Sequence, residues 1–76
     1  MNELEWISKF SRKLEDIMSE ESMTQIDLAR ETGLSAGAIN SYVNGTKMPG
    51  IKAILRLAYV LNRDVRELID FGSDID

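Results

Sequence analysis

The chain has 76 residues, and its 13 acidic and nine basic side chains give a formal net charge of −4 at pH 7. It contains no cysteine and no histidine, which excludes disulfides, thiolate metal sites and the commonest catalytic base. No apolar run approaches the roughly 18 residues of a membrane span, and no signal peptide is visible. These features predict a single cytoplasmic domain over residues 1–76, with no enzymatic activity, no cofactor and no metal site.

The charge is unevenly distributed along the chain. Residues 1–23 carry six acids and three bases, residues 24–63 carry two acids and five bases, and residues 64–76 carry five acids and one base. The weakly basic centre is compatible with a surface that contacts phosphate. It is also compatible with an ordinary solvated surface, and charge alone favours this second interpretation.

The first predicted element is a helix that begins after Asn2. Asn2 and Glu5 have the spacing of a capping box, and apolar residues then recur at steps of three and four. This pattern predicts an amphipathic helix of about four turns that ends near Glu20 or Glu21. Its predicted apolar stripe consists of Leu4, Ile7, Phe10, Leu14, Ile17 and Met18.

Two short helices follow, each with its own start and stop residues. Thr24, with Asp27 three residues later, predicts the start of the second helix, and Gly33 predicts its left-handed end. Ser35 predicts the start of the third helix, and Gly45 predicts its end. Ile39 and Tyr42 are predicted to face inward, and Val43 either joins them or forms part of an exposed patch.

A fourth helix is predicted from Ile51 to Leu61, after a loop at residues 46–50. A short fifth helix begins at the Asp64–Glu67 pair and ends at residues 71–72. Residues 71–76 form an acidic tail, whose Phe71 and Ile75 either mediate self-association or pack on the domain's own core. The wide apolar face predicted for the fourth helix comprises Ile51, Ile54, Leu55, Leu57, Ala58 and Leu61.

Residues 24–45 have the properties of a helix-turn-helix. A tight turn at Gly33 joins the two short helices, and the small side chain of Ala29 lets them approach closely where they cross. Leu28, Leu34 and Ile39 attach the pair to a common core. The second helix of such a motif can enter the DNA major groove while the first crosses the phosphate backbone.

This stretch resembles the Cro and lambda-repressor type of helix-turn-helix, often called the XRE family. The resemblance implies an all-α, compact five-helix bundle like that of lambda repressor, with a core over about residues 3–70. The small size suits a regulator from a phage or another mobile element. The motif residues that match the family pattern are Thr24, Gln25, Leu28, Ala29, Gly33, Leu34, Ser35, Ile39, Tyr42, Asn44 and Gly45.

The resemblance also implies which residues contact double-stranded DNA. One group corresponds to positions that approach the phosphate backbone: Gln25, Ser35, Asn44, Thr46 and Lys47, with Arg12 or Lys13 as an additional contact. A second group corresponds to positions that face base edges: Ala36, Gly37 and Ser41, with Asn40 beside them.

The base-facing positions depart from the family pattern, which often has Gln, Arg, Asn or Lys there. Ala36 can contact a thymine methyl and Ser41 can hydrogen-bond to a base, but neither forms a bidentate pair. We therefore expect modest direct base recognition, with more dependence on Asn40, on close backbone approach at Gly37 and on DNA shape. Ile26 and Val43 are apolar where the family more often has charged residues.

Two functional hypotheses follow from these residues. The first is a sequence-specific repressor that binds an operator as a homodimer through the helix at residues 36–44. The second is a protein-interaction module, an antirepressor or co-repressor, that binds a second regulator through an exposed patch at Ile26 and Val43. Either protein would lack a cofactor and would not bind a membrane.

Overall fold

A computed structural model describes residues 2–69, and all of their regular secondary structure is helical. The prediction of an all-α, five-helix architecture is confirmed over this range. The acidic tail at residues 71–76, with Phe71 and Ile75, lies outside the described residues. The helices are α1 (Glu3–Glu20), α2 (Gln25–Thr32), α3 (Ala36–Asn44), α4 (Ile51–Val60) and α5 (Val65–Ile69).

The boundaries of α2 and α3 are set by the predicted caps. The Asp27 backbone N–H donates to Thr24 Oγ1 and the Thr24 N–H donates to Asp27 Oδ2, both at 3.1 Å, which completes a capping box. The Ala38 N–H donates to Ser35 Oγ at 3.0 Å at the start of α3. Gly33 and Gly45 follow the two helices with φ of +76° and +70°, a backbone conformation that glycine adopts without a Cβ penalty.

The five helices contact one another in a closed ring around one core. In spatial order the ring is α1, α3, α2, α4 and α5, and α5 returns to α1. Trp6 covers the edge of this core by stacking on Phe10, with ring centroids 5.5 Å apart. The largest fully buried side chains are Phe10, Leu14, Leu28, Ile39, Leu57, Leu61 and Leu68, so every helix contributes to the core.

The predicted apolar faces of α1 and α4 are wider than the core that they contact. Leu4 is 77% exposed, Ile51 is 67% exposed and Leu55 is 52% exposed, so their predicted burial is wrong. Leu4 lies in the first turn of α1, ahead of the buried positions that begin at Ile7. Among the described helices, α4 packs only against α2 and α5, which cover one side of it and leave its neighbouring side exposed.

Val43 belongs to the core and not to a surface patch. Its side chain is 8% exposed, and its backbone carbonyl accepts a hydrogen bond from the buried Ser11 Oγ on α1. The prediction that Val43 faces inward is therefore confirmed, and the alternative that it forms an exposed patch with Ile26 is wrong. Burial follows from the ring, because α3 is covered on one side by α1 and on another by α2. Ile26 itself is 73% exposed.

Arg63 joins the end of α1 to the start of α5. Its Nη2 lies 2.9 Å from Glu20 Oε1 and 2.8 Å from Glu21 Oε2, and its Nη1 lies 3.2 Å from Glu67 Oε1. Hydrogen bonds to Glu21, Glu20 and Glu67 raise the pKa of Arg63 above its ordinary value. The last turn of α1 has no basic residue of its own, so Arg63 supplies the positive charge there.

Candidate nucleic-acid interface

Helix α3 divides into a buried face and an exposed face. Ile39, Tyr42 and Val43 are buried and attach the helix to the core, as predicted for Tyr42. The opposite face consists of predicted DNA contacts that are exposed, namely Ala36, Gly37, Asn40 and Asn44, with Ser41 half-buried beside them. The scaffold therefore holds α3 from one side and leaves the other side open to a ligand.

Three amide side chains form a hydrogen-bonded chain across α2 and α3. Asn44 Nδ2 donates to Asn40 Oδ1 at 3.0 Å, and Asn40 Nδ2 donates to Gln25 Oε1 at 3.2 Å. We call Gln25, Asn40 and Asn44 the amide chain. Its bonds all run in one direction, so the Gln25 NH₂ group remains as a donor at one end and the Asn44 carbonyl remains as an acceptor at the other.

The amide chain fixes the relative positions of two helices at the surface where DNA is predicted to bind. Gln25 is the first residue of α2, and Asn40 lies in the middle of α3. An NH₂ group at a helix N-terminus is a suitable donor to a phosphate oxygen, because the helix dipole also favours an anion there. From the sequence, Gln25 and Asn44 were predicted to contact phosphate and Asn40 to lie beside the base-facing positions, and the bonds among the three were not predicted.

The loop after α3 is folded back on the helix. The Thr46 backbone N–H and hydroxyl both donate to the Ser41 carbonyl, at 2.9 and 3.3 Å. The Thr46 hydroxyl thus has an acceptor within the protein, and the adjacent Lys47 is exposed. Ser35 differs from Thr46, because its Oγ accepts the capping bond from the Ala38 N–H while its own hydrogen can still be donated.

The free domain does not require glycine at position 37. It is the second residue of α3, its φ is not positive, and a Cβ built on it would meet no atom within 4 Å. A glycine inside a helix nevertheless costs about 1 kcal/mol relative to alanine. Alanine at this position is therefore expected to stabilise the free fold.

Helix α3 and the segments on either side of it in the sequence carry no acidic residue. From Thr32 to Arg63 the sequence contains basic side chains but no Asp or Glu. On the α2 side of this stretch, the nearest acid with a described partner is Asp27. Its Oδ1 accepts a hydrogen bond from Arg30 Nη2 at 2.8 Å. Hydrogen bonds from Thr24 and then Arg30 hold the pKa of Asp27 below its ordinary value. The acid-free stretch is a property of the sequence itself.

The two additional candidates for phosphate contacts lie on α1 and not on the helix-turn-helix itself. Arg12 and Lys13 are exposed, and neither hydrogen-bonds to a residue of the amide chain. The adjacent Ser11 does contact the end of α3, since its side chain lies against Gly45 and bonds to the Val43 carbonyl. The sequence analysis missed Ser11, because a serine within an amphipathic helix gives no indication of a partner 32 residues away.

One known protein family matches most of this chain. The model of the Cro/C1-type helix-turn-helix DNA-binding domain matches residues 13–74. The chain belongs to this family. The resemblance proposed from residues 24–45 is thereby confirmed, and the chain is a DNA-binding helix-turn-helix protein of the class that regulates transcription. Membership of this DNA-binding family points to a non-enzymatic regulator.

A solved structure agrees with this assignment at the level of the fold. The chain is similar to the solution structure of the SOS-response transcriptional repressor LexA from Eubacterium rectale, with a TM-score of 0.82 and 23% sequence identity. The similarity covers 91% of this chain and 73% of that chain. No curated protein matches the sequence. Within residues 2–69, no helix is both long enough and apolar enough to cross a membrane.

Proposed function

We propose that the chain is a sequence-specific transcriptional repressor, a single domain over residues 1–76 that binds double-stranded operator DNA as a homodimer. Each copy inserts the exposed face of α3 into the major groove of one half-site, and the half-site centres lie about 34 Å apart. Occupancy of the operator blocks a promoter in the cytoplasm of the host cell, as suits a phage or mobile-element regulator. The amide chain across α2 and α3 is the observation that carries this proposal.

Contacts to the phosphate backbone provide most of the affinity in this proposal. The Gln25 NH₂ donates to one phosphate at the start of α2, and the Lys47 ammonium binds another on the far side of α3. These contacts do not depend on sequence, and the lysine makes binding sensitive to salt. Ser35, Asn44 and Thr46 complete the backbone contacts.

Base recognition is assigned to the small side chains and to Asn40. Ala36 contacts a thymine methyl, Ser41 hydrogen-bonds to a base edge, and Gly37 lets the α3 backbone approach closely. Asn40 keeps one N–H and one lone pair free after its two bonds within the amide chain. Because no bidentate arginine or glutamine is present, the sequence dependence of DNA shape contributes a large part of specificity.

The test is selection of bound sequences from a random DNA library by the purified chain at about 150 mM salt, where nonspecific attraction is already weak. We expect an enriched inverted repeat. A single enriched half-site would contradict the homodimer, and no enrichment by protein shown to be folded would contradict sequence-specific binding. The Gln25→Ala and Lys47→Ala double variant serves as the control, because it should lose affinity while remaining folded.

The second candidate function is that of an antirepressor or co-repressor that binds a second regulator. The exposure of Ile26 at the start of α2 favours it, whereas the burial of Val43 removes half of the predicted patch. In this case Ile26→Glu would abolish a complex with a regulator encoded by a neighbouring gene. Co-expression of the chain with those gene products, followed by co-purification, tests this candidate, and the absence of any complex would contradict it.

A further inference from the structure

Asn40 is the member of the amide chain that both donates and accepts within it. Its Nδ2 donates to Gln25 Oε1 at 3.2 Å, and its Oδ1 accepts from Asn44 Nδ2 at 3.0 Å. An asparagine amide has two N–H donors and two lone pairs. Within residues 2–69, one N–H and one lone pair of this exposed side chain therefore have no protein partner. Asn40 can thus offer a ligand one donor beside one acceptor.

The four bases differ in the hydrogen-bonding groups that they present in the major groove. Adenine presents an acceptor, N7, beside a donor, the N6 amino group. Guanine presents two acceptors, N7 and O6, whereas cytosine presents a donor and thymine presents an acceptor and a methyl group. Adenine is therefore the base whose pattern uses both of the groups that Asn40 has available.

We propose that Asn40 determines specificity for one adenine in each half-site, and that its bond to Gln25 excludes guanine there. The available N–H donates to adenine N7, and the available lone pair accepts from the N6 amino group. An asparagine without protein partners could direct both of its N–H groups at the two acceptors of guanine. Asn40 cannot do so while Gln25 holds one of them. This inference rests on the proposed function, for which it names the base that α3 recognises.

The phosphate contact proposed for Gln25 stabilises the direction of the amide chain. Reversing all three amides would preserve both internal bonds but would turn the Gln25 oxygen outwards. A phosphate oxygen accepts hydrogen bonds and repels another acceptor, so a bound phosphate keeps the Gln25 NH₂ outward. The Gln25 oxygen then stays directed at Asn40, and the Asn40 oxygen stays directed at Asn44. Gln25 is thus a positioning residue for Asn40 as well as a phosphate contact.

The small residues near Asn40 fit this assignment. An asparagine side chain is short, so the α3 backbone must come close to the base that it recognises. Ala36 and Gly37 lie three and four positions before Asn40, on the same side of the helix, and both are exposed. A Cβ built on Gly37 would meet no atom within 4 Å, so the surface there is open. Larger side chains at these two positions would hold α3 away from the groove.

The first experiment repeats the selection from a random DNA library, at about 150 mM salt, with Asn40→Ala beside the wild type. We expect the wild-type motif to contain an adenine at one position of each half-site where Asn40→Ala accepts any base. The remaining positions should keep their preferences. Loss of preference at a position held by another base, or at no position, overturns the inference. A wild type that enriches nothing overturns the proposed function instead.

The second experiment tests the exclusion of guanine with Gln25→Ala. This variant frees the second N–H of Asn40, so the preference for adenine over guanine at that position should fall by about fivefold or more. Fluorescence anisotropy with the two duplexes measures the ratio of affinities. Lys47→Ala is the matched control, because it removes a phosphate contact outside the amide chain and should weaken both duplexes equally. An unchanged ratio in Gln25→Ala overturns the positioning role of Gln25.

The third experiment changes the base and leaves the protein intact. Replacing the adenine by 7-deazaadenine removes the N7 acceptor and retains the pairing with thymine. We expect wild-type affinity to fall by about fivefold and Asn40→Ala to bind both duplexes equally. Equal losses in the two proteins would show that Asn40 does not contact N7 and would overturn the assignment. Because the operator is already bound by the wild type in this test, that result leaves the proposed function standing.

Discussion

Asn40 and Gln25 lie 15 positions apart in the sequence, yet a hydrogen bond of 3.2 Å joins the Asn40 Nδ2 to the Gln25 Oε1. This bond connects the middle of α3 to the first residue of α2. It fixes the Gln25 amide with its oxygen inward and its NH₂ outward. The helix proposed to face base edges and the helix proposed to cross the DNA backbone are thereby joined by one side-chain contact.

We expect Asn40→Ala to lower operator affinity by about fivefold, because the lost hydrogen bond and the freed Gln25 amide together cost about 1 kcal/mol. Asn40 is exposed, so the thermal midpoint should change little. Fluorescence anisotropy with the selected operator measures the affinity. In the Gln25→Ala background the same substitution should cost less, and full additivity in this double-mutant cycle would refute the coupling.

Lys47→Ala should weaken binding to all DNA sequences by a similar factor. The lysine is exposed in the loop after α3, where an ammonium can replace a phosphate counterion. Loss of one such contact reduces the magnitude of the slope of log K against log salt by about 0.9, so a homodimer that loses one contact in each copy should change by about 1.8. Titrations between low and moderate salt measure that slope. Lys47→Arg retains the charge and is the matched control, and an unchanged slope for Lys47→Ala would exclude the contact.

Gly37→Ala should raise the stability of the free domain and lower its affinity for the operator. Alanine at this open helical position is expected to stabilise the free domain by about 0.5–1 kcal/mol. The added methyl should nevertheless reduce operator affinity, because it prevents close approach of the α3 backbone to DNA. Urea unfolding and anisotropy measure the two effects. Gly45→Ala is the contrasting variant, since its φ of +70° makes alanine destabilising by about 1 kcal/mol. A Gly37→Ala protein that binds normally would show that glycine has no role in recognition.

Val43→Glu and Ile26→Glu should have opposite consequences for folding. The first places a carboxylate where the side chain is 8% exposed, which costs about 3–5 kcal/mol and unfolds most of a small domain. The second changes a side chain that is 73% exposed and should leave the fold intact. Circular dichroism at increasing temperature distinguishes them. Cooperative melting of Val43→Glu near the wild-type temperature would contradict the burial of Val43.

Acid should destabilise the domain through two aspartates. Hydrogen bonds from Arg66 lower the pKa of Asp64 to about 2, and Thr24 and Arg30 lower that of Asp27. Because both folded pKa values lie below the unfolded ones, their stabilising contribution is complete above about pH 4. It disappears as the pH falls towards 2. Urea midpoints between pH 5 and pH 2 measure the effect, and an Asp27→Asn, Asp64→Asn double variant should depend less on pH.

Helix boundaries could be predicted from the sequence, because they depend on residues close to one another in the chain. The burial of individual side chains could not, where it depends on helices that are distant in the sequence. Ser35 and Gly33 form capping hydrogen bonds with backbone groups three or four positions away, so the boundaries of α2 and α3 were predictable. Leu55 has the periodicity of a core residue, and only the positions of α2 and α5 show that no helix within residues 2–69 covers it. The Ser11 bond to Val43 likewise depends on the packing of α1 against α3.

The separation of α3 into a buried and an exposed face has a consequence for how this protein can change. Ile39, Tyr42 and Val43 hold the helix, whereas Ala36, Gly37, Asn40 and Asn44 make no contribution to the hydrophobic core. If the second set contacts DNA as proposed, substitutions there would alter which DNA is preferred without requiring the first set to repack. New operator preferences would then be accessible by single changes on an unchanged framework, which would make the domain a suitable host for grafted recognition residues.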